Sequence, residues 1–280
     1  MIDVKCAWKE LLSILPAWLR DDVDKQGRAL LQEIRMRIGQ NPLLVMPDKR
    51  MELPHMVTNE DLQWVINTAC RYSPWTASST ARGFITASGG HRIGLCGEVI
   101  SRDGEIKGVD KISSINIRVA RDFVGISGNL WLRRENLLIL GAPGCGKTTL
   151  LRDLIRYRSE KETVGVVDER GEIFPPAANF PIGRNTDILT GCDKVRGIDM
   201  LLRTMTPDCI AVDEITAEKD TDAILRAGWC GVSLLATAHA SSVRDLSTRN
   251  VYASLISSRL FEKAVILHPD KSWRMERIYL

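Results

Sequence analysis

Gly141-Ala-Pro-Gly-Cys-Gly-Lys-Thr148 is a complete GxxxxGK[ST] phosphate loop. The apolar run Asn136-Leu-Leu-Ile-Leu140 precedes it, and the helix-compatible stretch Thr149-Leu-Leu-Arg-Asp-Leu-Ile-Arg156 follows. Strand, glycine-rich loop and helix in that order are the context the motif needs. Glycines let the backbone curl until successive N–H groups face phosphate oxygens, and the helix adds its positive N-terminal end. The spacing therefore predicts that Gly141, Ala142, Pro143, Gly144, Cys145, Gly146, Lys147, Thr148 and Thr149 hold the phosphates of a nucleotide. Lys147 would reach the β- and γ-phosphates, and the Thr148 hydroxyl would join a Mg²⁺ shell.

Working outward, the strands from Leu137 onward are continuous apolar runs: Leu137–Leu140, Val164–Val167, Cys209–Val212 and Val232–Thr237. Runs of this kind suit a parallel sheet covered on both faces. Two late strands, near Ala264–Leu267 and Arg274–Tyr279, would complete it. Before the loop the pattern is different. Residues 7–19 read as one amphipathic helix carrying Trp8, Leu11, Leu12, Leu15 and Trp18. Ile34, Met36 and Ile38 alternate with Arg35 and Arg37 as in a strand, and Leu43–Met46 is a second short one. A helix starts at Thr58 or Asn59 and runs to about Cys70, burying Leu62, Val65, Ile66 and Ala69. Gly83–Thr86 and Arg92–Ile100 read as a hairpin, Asp103-Gly104 as a turn, and Ile112–Val119 as another strand. The expected organisation is an α/β protein in two parts. A smaller α+β domain spans 1–122 and a phosphate-loop core with a mostly parallel sheet spans 123–280, with the boundary falling within Arg121–Asn136.

Cys209-Ile-Ala-Val-Asp-Glu214 is a buried strand that delivers two carboxylates at its C-terminal end, the Walker B arrangement, where ligands of an open α/β sheet collect. Asp213 would hold Mg²⁺ and Glu214 would orient or deprotonate the attacking water. Val166-Val-Asp-Glu-Arg-Gly-Glu172 ends another strand with three acids. Spacing leaves Glu169 and Glu172 both open for action on the water or metal, with Glu169 favoured as nearer the strand end; the alternative is solvated charge. His239, in Ala236-Thr-Ala-His-Ala240, is placed to sense a γ-phosphate, against the structural role a lone histidine commonly has. Arg82, Arg92 and Arg118 sit beside glycines or at strand ends, where an arginine could meet a phosphate or simply lie in solvent. Arg203 is expected to steady the Walker B strand.

Bulk properties narrow the classes. The chain of 280 residues has a net charge of +3, so a dominant nucleic-acid surface is not indicated. Seven cysteines, an odd number with no CxxC pair, point to free thiols in a reducing compartment and away from zinc. Asp3, Lys5, Lys9 and Glu10 interrupt any apolar leader, and no apolar run approaches the roughly 18 residues that span a bilayer. The expectation is a soluble, cytoplasmic protein.

Leu202-Arg-Thr-Met-Thr-Pro-Asp-Cys-Ile-Ala-Val-Asp-Glu-Ile215 resembles the Walker B segment of the bacterial secretion ATPases, the type II, type IV and pilus motors. Val167–Ile173 is similar to their Asp box and Ala236–Ala240 to their His box, in the same order along the chain. A nearer resemblance is to the stage III sporulation protein AA family of endospore-forming bacteria. It is carried by Glu33-Ile-Arg-Met-Arg-Ile-Gly39, Ala69-Cys-Arg-Tyr-Ser-Pro-Trp75, Gly83-Phe-Ile-Thr-Ala-Ser-Gly-Gly-His-Arg-Ile-Gly-Leu-Cys-Gly97, Ile112-Ser-Ser-Ile-Asn-Ile-Arg118 and Gly165-Val-Val-Asp-Glu-Arg-Gly-Glu-Ile173. The resemblance implies a RecA-like ATPase core using ATP and Mg²⁺, behind an N-terminal domain. It also implies a homo-hexameric ring with nucleotide between subunits, and a role in the mother-cell cytoplasm energising a secretion-like complex. The other membrane proteins of that sporulation stage would be its partners, holding it at the membrane surface. The chain departs from secretion ATPases in having Asp213-Glu214 where Gly-Glu is common, in a shorter His box, and in lacking the zinc cysteines of some type II enzymes. A RecA-like ATPase acting on single-stranded nucleic acid and a non-hydrolysing nucleotide-dependent scaffold are the alternatives, although nucleic acid is not an expected partner.

Overall fold

The computed structural model describes residues 2–70, 83–102, 104–128, 130 and 134–279. Arg82, Asp103, residues 71–75 of the Ala69–Trp75 motif and residues 129 and 131–133 of the expected boundary lie outside them. The chain forms two compact units, one of residues 4–122 and 175–180, the other of residues 1–3, 123–174 and 181–280. Short strands β1 (Asp3–Lys5) and β8 (Asp122–Val124) lie where the chain passes from one unit to the other.

In the unit of residues 4–122 the expected single N-terminal helix is two helices, α1 (Trp8–Ile14) and α2 (Ala17–Gln26). The reason is Pro16. A proline drives the residue before it out of the α region, and Leu15 accordingly sits at φ −81°, ψ 150°. The amphipathic pattern survives the break, because Leu11, Ile14, Leu15, Leu19 and Val23 are all buried. They pack with α3 (Asn59–Cys70) against a six-stranded antiparallel sheet. Its strands are β2 (Glu33–Arg37), β3 (Leu43–Val45), β4 (Arg50–Glu52), β5 (Phe84–Thr86), β6 (Arg92–Arg102) and β7 (Glu105–Arg118), in the order β4-β3-β2-β7-β6-β5. Ile38, expected on β2, falls just beyond it and is exposed.

Gly89, Gly90 and His91, between β5 and β6, explain one glycine pair. Both glycines have φ +78°, and a Cβ on Gly89 would lie 2.4 Å from the Ala7 Cβ. This close approach lets His91, fully buried, bridge two backbone segments. Its Nε2 donates to the Ala7 carbonyl (2.9 Å) and its Nδ1 accepts from the Ala120 N–H (3.2 Å), so the ring is the neutral Nε2–H tautomer.

The other unit is a seven-stranded sheet: β9 (Leu137–Gly141), β10 (Val164–Asp168), β11 (Thr186–Thr190), β12 (Cys209–Val212), β13 (Ser233–Ala238), β14 (Lys263–Leu267) and β15 (Trp273–Arg277), in the order β11-β10-β12-β13-β9-β14-β15. All neighbours are parallel except the β14–β15 edge pair. Strands β9, β10, β12 and β13 are buried along their whole length, as their mostly apolar sequences suit. The connecting helices include α4 (Lys147–Ser159), α5 (Lys194–Thr204) and α6 (Glu218–Trp229), followed by the short α7 (Val243–Ser247) and α8 (Ala253–Ser257). Right-handed crossovers place α4 on one face and α5 and α6 on the other, because β9 to β10 runs one way across the sheet and β11 to β12 to β13 the other. Among the described residues no helix is long and apolar enough to cross a membrane.

Burial pushes the His91 pKa below the ordinary histidine value, with the Ala7 carbonyl and Glu10 only partly offsetting it. The unfolded chain therefore binds this proton more readily, so stability is full above about pH 6.5 and falls as the pH drops below it. Urea midpoints at pH 7.5 and pH 5.5 should differ more for wild type than for His91→Gln; an equal acid loss in both proteins would reject this account.

Candidate active site

The site assembles at the C-terminal ends of β9, β12 and β13, adjacent strands in the order β12-β13-β9. The loop after β9 turns on Gly144 (φ +77°) and Gly146 (φ +104°), conformations that side-chain-bearing residues rarely adopt. It leads directly into α4, whose first residues are Lys147, Thr148 and Thr149.

Lys147 is buried at 7% exposure. Its ammonium donates to the carbonyls of Gly141 (2.9 Å) and Ala142 (3.1 Å) and faces His239 Nδ1 at 3.1 Å. Desolvation lowers its pKa, and the charges of Asp213 and Glu214 counter the shift. An ammonium has only protons to offer, so Nδ1 of His239 must accept and the ring proton sits on Nε2. Nε2 donates to Glu214 Oε1 at 2.7 Å. Lys147, His239 and Glu214 thus form one continuous chain from the phosphate loop to the Walker B acid.

Thr148 Oγ1 donates to Asp213 Oδ2 at 2.7 Å. The other oxygen, Oδ1, takes the hydroxyl proton of Thr237. That same hydroxyl accepts from the Glu214 N–H (2.7 Å), and the Thr237 carbonyl accepts from the Ile215 N–H (2.9 Å). Thr237, fully buried, therefore fixes both acids. Glu214 is held at φ +54°, a left-handed conformation that costs about 1–2 kcal/mol in a residue with a Cβ. Its Oε2 receives Arg170 Nη1 at 2.8 Å. Burial pushes the Glu214 carboxyl up, but the His239 hydrogen bond and the charges of Arg170 and Lys147 together bring it below the ordinary value.

The Asp-box loop is shaped by Asp168, whose carboxylate accepts from the N–H groups of Glu172 (2.8 Å), Ile173 (3.0 Å) and Phe174 (2.9 Å). Glu169 is paired with buried Lys194 at 2.6 Å, and both line a small cavity with Asp213, Glu214 and Glu172. Glu172 points its N–H at Asp168 and its carbonyl at Arg152. Arg203 lies exposed on α5. Arg158 is the residue that steadies the start of β12: it is buried and donates to Cys209 Sγ (3.3 Å), to Ser233 Oγ (3.0 Å) and to the Glu135 carbonyl. Arg92 and Arg118 belong to the unit of residues 4–122, where they face each other across β6 and β7 and Arg92 stacks 3.8 Å over the Phe84 ring.

Thr237, Arg170, Lys194 and Arg158 were not singled out by sequence. Arg170 and Thr237 lie inside the Asp and His boxes, so their motifs were the available signal. Nothing local marks Lys194 or Arg158. Among the described residues no cluster of three His, Cys, Asp or Glu could hold a metal alone. Thr148 with Asp213 instead fits a Mg²⁺ that brings most of its ligands as phosphate oxygens and water.

Residues 8–279 match the family described as sporulation stage III, protein AA. The stage III sporulation protein AA of Bacillus subtilis (strain 168) is 36% identical over 283 residues, covering 94% of this chain and 91% of that protein. Among solved structures, the pilus retraction motor PilT with bound ADP aligns at TM-score 0.59 and 16% identity over 88% of this chain and 76% of that one. The Legionella pneumophila ATPase DotB aligns at TM-score 0.51 and 16% identity over 94% and 80%. At such identities the likeness establishes the fold, a RecA-like core with a mostly parallel sheet behind an N-terminal α+β part.

Thr237→Val keeps the shape but leaves the Glu214 N–H and one Asp213 oxygen without their partner. It should lower stability by about 1–3 kcal/mol, read from urea unfolding, whereas Thr237→Ser, which keeps the hydroxyl, should recover most of that. Equal losses in the two variants would mean that the methyl group, not the hydroxyl, matters.

Proposed function

The chain belongs to the sporulation stage III protein AA family, and from that premise we propose that it is a Mg²⁺-dependent ATPase, the motor of a secretion-like complex needed for endospore formation. The observation that carries the reading is the joining of the phosphate loop to the Walker B strand, through Thr148 with Asp213 and through Lys147, His239 and Glu214.

In this reading the curled loop from Gly141 to Thr149 offers its N–H groups to the phosphates. Lys147 exchanges the Gly141 and Ala142 carbonyls and His239 Nδ1 for phosphate oxygens, which restores full charge pairing to a desolvated ammonium. Thr148 and Asp213 would hold Mg²⁺, which supplies charge neutralisation at the phosphates when bound. Glu214 takes the proton of the attacking water, and its carboxylate stays ionised at neutral pH because its partners keep it so. His239 holds Glu214 through Nε2–H, and its Nδ1 becomes available once Lys147 turns to phosphate. Glu169, fixed by Lys194, lines the same cavity and shapes the field around the water. An arginine such as Arg92 or Arg118, supplied to the phosphates within a homo-hexameric ring, would stabilise charge developing in transfer. Attachment to sporulation-stage membrane proteins from the mother-cell cytoplasm completes the proposal.

Purified protein should hydrolyse ATP only with Mg²⁺. Lys147→Ala should lose nucleotide binding. Glu214→Gln should bind ATP within a few-fold of wild type and turn over about a hundredfold or more slowly. Undiminished turnover in both variants would refute the assignment.

A further inference from the structure

The turn between β14 and β15 returns to the phosphate loop from its outer side. Strand β14 runs parallel to β9 with Leu267 level with Gly141. The approach there is close: a Cβ on Gly141 would lie 2.9 Å from the Leu267 carbonyl. The turn that follows is tightly built. His268 N–H donates to the Ser272 carbonyl (2.9 Å), Lys271 N–H donates to the His268 carbonyl (3.0 Å), and Asp270 takes the Ser272 N–H (2.9 Å) and hydroxyl (2.6 Å). Lys271 sits at φ +72°, a conformation that L side chains rarely adopt. In that conformation its ammonium donates to the Gly144 carbonyl at 2.6 Å, across 127 residues of sequence.

We infer that Lys271 is a positioning residue for the nucleotide: by holding the Gly144 carbonyl, it fixes the peptide unit between Gly144 and Cys145 and with it the curl of the loop that would receive the phosphates. The inference rests on the reading of this loop as a nucleoside-triphosphate site. Gly144 and Gly146 give the loop its curl, but the same freedom makes an ordered loop entropically expensive. A charge-assisted bond from a rigid turn supplies that order before the ligand arrives, which is how preorganisation raises affinity. A carbonyl fixed by a cation also polarises its peptide unit, strengthening the Cys145 N–H that closes the loop's own turn onto the Ala142 carbonyl at 3.3 Å. Lys271 acts through the loop, so its loss should alter binding and leave the transfer step itself intact.

The test is the binding of a fluorescent ADP analogue to the full chain, beside ATP turnover at saturation, for wild type, Lys271→Ala, Lys271→Gly and Lys271→Arg. Lys271→Gly deletes the ammonium while suiting φ +72°, so it separates loss of binding from loss of folding. Both deletions should weaken analogue binding about three- to tenfold, a charge-assisted bond discounted for solvent exposure. They should raise KM for ATP in step and keep kcat within twofold, and Lys271→Arg should recover most of the affinity. Affinity within twofold of wild type in Lys271→Gly, or a kcat that falls more than the affinity does, would overturn the inference. A wild-type protein that binds no analogue would instead remove the nucleotide reading on which it rests.

Discussion

A buried ammonium must be neutralised by its surroundings, and at this site that constraint falls on Lys147. The lysine is 7% exposed and desolvation opposes its charge. Two carbonyls, the ring nitrogen of His239 and the nearby charges of Asp213 and Glu214 are what make it tolerable. Each of those partners is in turn held by something else: Asp213 by Thr148 and Thr237, Glu214 by His239 and Arg170. The rest of the core places these groups within hydrogen-bond reach of one another. It does so with the ends of three neighbouring strands, which is the arrangement an open parallel sheet provides at its carboxyl edge.

Local pattern revealed those parts of the protein in which it coincides with the final environment. The four buried strands β9, β10, β12 and β13 are mostly apolar runs and could be read directly, and the glycine-rich loop and the Asp213-Glu214 pair follow the ends of β9 and β12 as the sequence suggests. Strand β11 has the mixed sequence Thr-Asp-Ile-Leu-Thr and is half exposed at the sheet edge, so no apolar run marked it. The split between α1 and α2 is hidden in the sequence because the apolar period continues across Pro16. Long-range partners are the other blind spot. Lys147 and His239 are 92 residues apart, and Thr148 and Asp213 are 65 apart. That Glu169 belongs to Lys194 depends on how the start of α5 passes the end of β10, and no spacing rule encodes it.

The hydroxyl of Thr237 shows how one small group organises two neighbouring acidic residues. Strand β13 brings it beside β12 in a register fixed by Val212 opposite Ala236. One step further along, the hydroxyl donates to Asp213 and accepts from the backbone of Glu214. Valine has the same shape and the same preference for strands, so only the oxygen distinguishes the functional choice.

The left-handed backbone of Glu214 sets stability against activity. Glycine at that position would relieve the strain and suit φ +54°. It would also remove the carboxylate that His239 and Arg170 surround. Selection for thermal resistance alone would therefore favour a protein without this acid, and on the proposed function a chain kept for its chemistry retains a residue its backbone disfavours. On the proposed function, a robust natural homologue with glycine in place of Glu214 would be recognisable from that exchange as one that has given up hydrolysis and kept the scaffold.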